Sequence, residues 1–175
     1  MDNIEKLKKS IRNIPDFPIP GIQFKDVTTL FKGADNLQII SKELVKHYRD
    51  KGITKVIGIE SRGFIMAPIL ALELNAGFVP IRKPGKLPAD TIEESYEKEY
   101  GIDTIQIHSD ALDSNDVVLI HDDLLATGGT MLAAYKLVKK MGVKKVYINF
   151  IIELTDINGR KIFPEDAEID TLIQF

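Results

Sequence analysis

Apolar residues follow two kinds of spacing along the chain. Steps of three and four residues, which are typical of amphipathic helices, occur in residues 4–14, 36–50, 64–74 and 131–141. Short apolar runs, which are typical of buried strands, occur in residues 56–59, 78–81, 104–107, 117–120 and 145–152. Strands that alternate with helices favour a mostly parallel sheet with helices on both faces and ligands at the carboxyl ends of its strands. The pattern therefore predicts a single α/β domain over residues 1–175.

The composition narrows the class of protein. Hydrophobic residues make up 44% and charged residues 28% of the chain, which suits a folded domain rather than a disordered one. A net charge of -3 gives no broad basic field, so we expect neither nucleic-acid nor membrane binding. Cysteine is absent, which excludes a disulfide framework and a thiolate metal site. Residues 1–14 lack the continuous apolar stretch of a signal peptide or spanning helix, so a cytoplasmic location is expected.

One segment, residues 82–101, interrupts the alternation of helices and strands. It carries many charges and two prolines, and it has no sustained apolar periodicity. Irregular segments of this length are usually lids over a site or disordered loops. We expect a long flexible lid, for which Gly85 and Gly101 could serve as joints. The alternative is a solvated mobile loop with no part in a site.

The strongest chemical signal follows the strand predicted at residues 117–120. An acid pair, Asp122 and Asp123, precedes a glycine loop that consists of Ala126, Thr127, Gly128, Gly129 and Thr130. Adjacent glycines expose consecutive backbone N–H groups at the positive end of a helix dipole, which suits a phosphate ester. Carboxylates would repel a bare phosphate, but they can accept hydrogen bonds from ribose hydroxyls or hold Mg²⁺ beside them. We therefore expect a ribose 5-phosphate ligand; the alternative is a tight turn whose acids only cap the helix.

Several stretches of the chain resemble one known family. Residues 117–130 resemble the phosphoribosyl pyrophosphate motif of the type I phosphoribosyltransferases, in the form of their adenine-specific branch. Residues 14–26 are similar to the N-terminal signature of that branch, residues 60–64 to the family's pyrophosphate loop, and residues 95–101 to its lid pattern. The resemblance implies the type I phosphoribosyltransferase fold with a small hood within residues 1–34. It also implies transfer of a phosphoribosyl group from phosphoribosyl pyrophosphate to adenine, which gives AMP and pyrophosphate.

The resemblance further implies which residues bind phosphoribosyl pyrophosphate. The glycine loop would hold its phosphate, and Asp122 and Asp123 would hold its ribose and act in catalysis. The pyrophosphate would meet four basic residues: Arg62, Arg82, Lys83 and Lys86. Mg²⁺ would arrive with this substrate and would not occupy a separate protein site. The resemblance also implies a homodimer, in which Arg82 or Lys83 approaches the neighbour's site.

For the base and the lid, the resemblance implies a second set of residues. Adenine would stack on Phe24, with the backbone of Gln23 and Lys25 at its edge and Leu154 against its other face. Taken alone, Phe24 could instead be a core residue in a proline-rich connector. Two lid residues complete the set: Glu99 as a catalytic acid that handles a proton of the purine, and Tyr100.

Two other functions are compatible with this pattern. A regulator could keep the same fold as a sensor and bind nucleic acid or a partner protein, although no appended helix-turn-helix is evident. An enzyme of the same class could use hypoxanthine, guanine or another purine, against which the N-terminal signature argues. The histidines, His47, His108 and His121, show no metal spacing and are interpreted as structural. His121 departs from the family, which usually has an aliphatic residue there; its ring could affect the orientation of Asp122 or could simply hydrogen-bond within the end of the sheet.

Overall fold

The computed structural model describes residues 2–98 and 101–175. Its helices are α1 (Asn3–Ser10), α2 (Thr28–Phe31), α3 (Ala34–Tyr48), α4 (Gly63–Glu73) and α5 (Gly129–Lys140). Its strands are β1 (Arg12–Pro15), β2 (Gln23–Asp26), β3 (Lys55–Ile59), β4 (Gly77–Ile81), β5 (Thr91–Lys98), β6 (Gly101–His108), β7 (Val117–Leu125), β8 (Lys145–Glu153) and β9 (Glu168–Gln174). Two short 3₁₀ helices, Thr155–Ile157 and Gly159–Ile162, follow β8. The predicted catalytic acid Glu99 and the lid residue Tyr100 lie outside the described residues.

Five strands form the central sheet in the order β4-β3-β7-β8-β9, and all neighbouring pairs are parallel. Parallel strands that are buried on both faces require continuous apolar runs, and β3, β7 and β8 provide them. Because these strands run in one direction, their carboxyl ends share one edge of the sheet. The residues that follow β3, β4, β7 and β8 are therefore brought together at that edge.

Helices cover both faces of the sheet. Successive side chains of a strand point to opposite faces, so Val56 and Leu119 belong to the core beneath α3 and α4. Ile57 and Ile120 belong to the core beneath α5. The predicted parallel sheet with helices on both faces is thus confirmed. In residues 2–98 and 101–175, no helix combines the length and apolar character needed to span a bilayer.

The N-terminal segment departs from the predicted single helix over residues 4–14. Helix α1 ends at Ser10, and Arg12–Pro15 forms β1, which pairs antiparallel with β2 so that Ile14 lies opposite Phe24. Proline disfavours the helical conformation of the residue before it, so Pro15 moves Ile14 into an extended strand. The two-stranded sheet, together with α1 and α2, makes up the N-terminal hood.

The prediction of an irregular lid over residues 82–101 is wrong for Thr91–Lys98, which is strand β5 of a hairpin with β6. Ile92 and Tyr96 pack against the core beneath α5. Between them Glu94 also faces inward, where it forms an ion pair with a lysine of α5. The alternation of a strand was hidden in the sequence because a charged residue occupies one of the inward positions.

Strand β9 was not predicted from the sequence. Its apolar residues, Ile169, Leu172 and Ile173, are interrupted by acidic and polar ones, so they form neither an apolar run nor strict alternation. The strand lies at the edge of the sheet and most of its residues are only partly buried. An edge strand therefore needs less apolar character than the central strands.

Candidate active site

Two adjoining cavities lie at the carboxyl edge of the sheet, next to the acid pair. The first, of about 240 Å³, is lined by both acids, Arg62 and the glycine loop. The second, of about 280 Å³, shares both acids, Arg62 and Thr130 with the first and adds Lys83 and Glu60. Residues from the ends of β3, β4 and β7 thus meet in one place. The fold therefore brings together the acid pair, the glycine loop, Arg62 and Lys83.

The acid pair is tightly held by its neighbours. Asp123 is buried, and one of its carboxylate oxygens accepts a hydrogen bond from Nε of Arg62. Oδ1 of Asp122 accepts a hydrogen bond from the backbone N–H of Asp123 at 2.9 Å. Burial, and then the charge of Asp123, raise the pKa of Asp122 well above its ordinary value. Burial opposes the charge of Arg62, but the hydrogen bond and charge of Asp123 outweigh it and raise the pKa of Arg62. Arg62 is therefore a permanent cation fixed beside the acids.

The glycine loop connects β7 directly to α5. Gly128 has a φ of +83°, a left-handed conformation that few other residues adopt, and α5 begins at the next residue. The loop rests against Gly159, where an added Cβ would lie 2.0 Å from the carbonyl oxygen of Ala126. Arg160 fixes this support, because it donates to Glu153 at 2.7 Å and 2.9 Å. The backbone of the loop is thus set from both sides.

The predicted pyrophosphate cations fall into two groups. Lys83 lines the second cavity, and its Nζ forms an ion pair with Asp103. Arg82 and Lys86 instead donate to Glu60, at 3.3 Å and 2.7 Å. The hydrogen bond from Lys86 is the largest influence that lowers the pKa of Glu60 to about 2. The role of Glu60 as the partner of Arg82 and Lys86 was not predicted, because the sequence does not indicate which carboxylate a given cation will contact.

The hood places the predicted base-binding residues on β2. The half-buried ring of Phe24 packs edge-on against Phe17, with centroids 5.1 Å apart. The side chain of Gln23 accepts a hydrogen bond from Asn13 at 2.6 Å, and Nζ of Lys25 lies 4.5 Å from the centroid of the Phe175 ring.

The charge of Asp26, at the end of β2, contributes to the raised pKa of Arg62. Leu154 follows β8, and its N–H donates to the carbonyl oxygen of Leu125 at 2.9 Å. The two cavities beside the acid pair are lined by other residues than Gln23, Phe24, Lys25 and Leu154. Their contact with a base therefore stays a prediction.

His121 directly precedes the acid pair, and its ring is buried in the core. It is fully buried, and its Nδ1 lies 2.7 Å from Oδ1 of Asn149 on β8. Burial lowers the pKa of His121 to about 4, so the ring is neutral near pH 7. In the described part of the chain, Nε2 of His121 and Nδ2 of Asn149 are buried without a hydrogen-bond partner. The residue lines neither of the two cavities.

Comparison with known proteins places this geometry in a family. A model of the phosphoribosyl transferase domain matches residues 26–168. The adenine phosphoribosyltransferase of Bacteroides thetaiotaomicron is 70% identical over 169 residues, which cover 97% of this chain and 96% of that protein. The chain belongs to the adenine phosphoribosyltransferase family.

Solved structures of adenine phosphoribosyltransferases have the same fold. The enzyme of Rhodothermus marinus is 50% identical, with a TM-score of 0.91 and coverage of 99% of this chain and 98% of that one. The enzyme of Giardia lamblia, solved in complex with 9-deazaadenine, is 41% identical, with a TM-score of 0.93 and coverage of 100% and 99%. The predicted type I phosphoribosyltransferase fold is confirmed.

Proposed function

We propose that this enzyme transfers the 5-phosphoribosyl group of phosphoribosyl pyrophosphate to adenine, and that the acid pair and glycine loop form its substrate site. The observation that carries the proposal is the shared cavity: two carboxylates, a glycine loop at a helix start and a fixed guanidinium line one space. The carboxylates can accept hydrogen bonds from the hydroxyl groups of a sugar, and the backbone N–H groups of the loop can bind the phosphate of that sugar. The products are AMP and pyrophosphate.

The glycine loop binds the 5-phosphate in this proposal. Helix α5 begins at Gly129, so its unpaired N–H groups and positive dipole end face the cavity. Thr127 and Thr130 line the same cavity and add hydroxyl donors. Asp122 and Asp123 then accept hydrogen bonds from the ribose hydroxyls, which a phosphate bound alone would not satisfy.

The pyrophosphate of the substrate lies in the second cavity, between Arg62 and Lys83. Arg62 donates in a planar fork that matches phosphate oxygens, and Lys83 adds a point charge. Arg82 and Lys86 form ion pairs with Glu60 and act as supporting charges. Preorganised cations of this kind stabilise the charge that develops on a leaving group.

Mg²⁺ enters with the pyrophosphate substrate. Within residues 2–98 and 101–175, no cluster of three or more His, Asp or Glu side chains could hold a metal ion alone. Two adjacent carboxylates beside a phosphate loop do fit an ion that takes its other oxygen ligands from the substrate and water. When bound, Mg²⁺ neutralises charge on the departing pyrophosphate.

Adenine lies against Phe24 of the hood, with Leu154 on its other side. A two-stranded sheet leaves the outer edge of each strand open, so the backbone of Gln23 and Lys25 can hydrogen-bond a planar base. N9 of adenine forms a bond to the anomeric carbon as the bond to pyrophosphate breaks. Glu99 handles the proton that the purine loses, and Tyr100 belongs to the lid that excludes water from the reaction.

We also propose a cytoplasmic homodimer, in which the loop that carries Arg82 and Lys83 approaches the neighbour's site while both side chains serve their own subunit. Three large apolar side chains are exposed on α4 and β4: Ile65, Leu72 and Phe78. Ile65 and Leu72 are seven residues apart on α4 and so lie on one face of that helix, which a second subunit could cover together with Phe78.

The proposal is tested with adenine, hypoxanthine and guanine, each mixed with phosphoribosyl pyrophosphate and Mg²⁺ and assayed for nucleotide. Adenine should give AMP and pyrophosphate. The Asp123→Asn variant should lose about 100-fold or more in kcat/KM, because it removes an acceptor for the ribose and weakens the hold on Arg62. Its melting temperature should change little, since the Arg62 side chain is 49% exposed and can be hydrated.

The matched control is Asp35→Asn, since the side chain of Asp35 is 82% exposed on α3. This variant should keep wild-type kinetics. Preference for another purine would assign a different base to the site. Absence of nucleotide with every base would favour the sensor function, and normal kinetics of Asp123→Asn would remove the acid pair from the mechanism.

A further inference from the structure

The hydroxyl of Tyr96 connects the two halves of the proposed substrate site. Oγ1 of Thr130, in the glycine loop, donates a hydrogen bond to it at 2.9 Å. The Tyr96 hydroxyl in turn donates to Oδ2 of Asp103 at 3.1 Å. The same Asp103 carboxylate forms the ion pair with Lys83, whose Nζ lies 3.5 Å from the Tyr96 hydroxyl. One hydroxyl thus contacts the phosphate loop and the group that holds the pyrophosphate cation.

Packing fixes the ring of Tyr96 independently of these hydrogen bonds. The ring belongs to the partly buried residues that pack against the core beneath α5. It also lies beside the start of α5, where a Cβ added at Gly129 would be 3.6 Å from Cδ2 of Tyr96. A phenylalanine at this position would keep the packing and lose only the hydroxyl.

The bond between Thr130 and Tyr96 competes with the substrate. The threonine hydroxyl has one hydrogen, so it cannot donate to Tyr96 and to a bound 5-phosphate at the same time. When the phosphate takes that donor, the Tyr96 hydroxyl loses one of its hydrogen bonds, and the ammonium of Lys83, which donates to it at the long distance of 3.5 Å, can move closer. A change at the glycine loop would therefore alter the position of Lys83 beside Asp103.

We infer that Tyr96 is a positioning residue that couples occupation of the glycine loop to the placement of Lys83. The inference rests on the proposed function of the same site. It requires binding of a 5-phosphate and binding of pyrophosphate to be cooperative, because each affects groups that share the Tyr96 hydroxyl. A purely structural Tyr96 would leave that cooperativity unchanged.

The test measures the Kd of pyrophosphate with Mg²⁺ by calorimetry, with and without saturating ribose 5-phosphate. In the wild type, ribose 5-phosphate should lower this Kd about 3- to 10-fold, the range that one hydrogen bond can carry. In Tyr96→Phe the ratio should fall to about 1, and the KM for phosphoribosyl pyrophosphate should rise more than kcat falls. Tyr147→Phe is the matched control, since Tyr147 lies on β8 and contacts Tyr48; its ratio should match the wild type.

Asp103→Asn provides a second, independent variant of the same link. If Tyr96 acts through Asp103, combining Tyr96→Phe with Asp103→Asn should lower the ratio of the two pyrophosphate Kd values no further than the more severe single variant does. An unchanged ratio in Tyr96→Phe, or additive effects in the double variant, would overturn the inference while the wild type still makes AMP. A wild type that makes no nucleotide and binds neither probe would instead overturn the proposed function, and the inference with it.

Discussion

His121 illustrates how a single buried residue can make the stability of the fold depend on pH. Burial lowers its pKa from 6.5 to about 4 in the folded chain. Between pH 6.5 and pH 4, His121 is therefore protonated in the unfolded chain but remains neutral in the folded chain. The stability associated with the neutral ring is fully present above pH 6.5 and is lost as the pH falls towards 4. The loss should reach roughly 3 kcal/mol in the free energy of unfolding.

This prediction is checked by denaturant unfolding between pH 7 and pH 4, because other groups also titrate in that range and a comparison is needed. The control is the double variant His121→Leu/Asn149→Leu, which removes both members of the buried pair and leaves no polar atom stranded. Its loss of stability on acidification should be smaller than that of the wild type. Equal pH dependence in both proteins would contradict the assigned pKa.

At this scale, the residues that could be predicted are those that lie in one continuous stretch. The acid pair and the glycine loop form a single strand-loop-helix unit, so their chemistry follows from local spacing. Glu60 and Tyr96 could not be assigned in the same way, because their partners are distant in sequence. Glu60 contacts Arg82 and Lys86, and Tyr96 contacts Thr130, only after β4 and the hairpin have packed onto the sheet.

Among the structural elements, the turn at Gly159 has the closest contact with the glycine loop. Replacing Gly159 with alanine would place a Cβ 2.0 Å from the carbonyl oxygen of Ala126, so one of the two backbones must move. Overpacking of this kind costs about 1 to 3 kcal/mol in the free energy of unfolding. The shift also displaces the loop that holds the 5-phosphate. The KM for phosphoribosyl pyrophosphate should therefore rise about 10-fold or more, whereas the KM for adenine should change less.

Gly33→Ala is the matched control for this variant. The three atoms nearest to a Cβ added at Gly33 all belong to the side chain of Asn36, the closest being Nδ2 at 3.2 Å, and none of them is backbone. Steady-state kinetics and thermal unfolding of both variants make the comparison. Equal KM values for phosphoribosyl pyrophosphate would show that the turn does not position the glycine loop.

The elements themselves were predictable to different degrees. Central strands such as β3 and β7 can be recognised in the sequence by continuous apolar runs, because both of their faces are buried. The hairpin strand β5 cannot be recognised in this way, since its inward-facing Glu94 is a charged residue that forms an ion pair with a lysine of α5. A charge that is paired across elements has the same appearance in the sequence as a charge that is exposed to solvent.

For the whole molecule, the parallel sheet determines where the site can be. The residues after β3, β4, β7 and β8 had to converge because parallel strands end at one edge, and this could be predicted from the order of the elements. The position of the hood could not be predicted, because the apolar pattern of residues 1–34 does not say where a two-stranded sheet will dock. The contribution of the Asp26 charge to the raised pKa of Arg62 is likewise not indicated by the sequence.

The proposed dimer is a property of the whole molecule as well. Leu72 is 80% exposed on α4, and Phe78 is 39% exposed on β4, the strand at one edge of the central sheet. An exposed apolar surface at a sheet edge promotes non-specific association of a monomer, whereas a symmetric dimer buries that surface. Light scattering should therefore give a mass of about 39 kDa, twice the 19.6 kDa of one chain.

Leu72→Asp would place charges at this surface and should shift the mass towards that of one chain. Ile157→Asp is the control, because Ile157 is 46% exposed in the 3₁₀ helix after β8, on a different element. It should leave the mass of the dimer unchanged. If Leu72→Asp stays dimeric, the subunits meet through another surface; if the wild type is a monomer, the site must be complete within one chain.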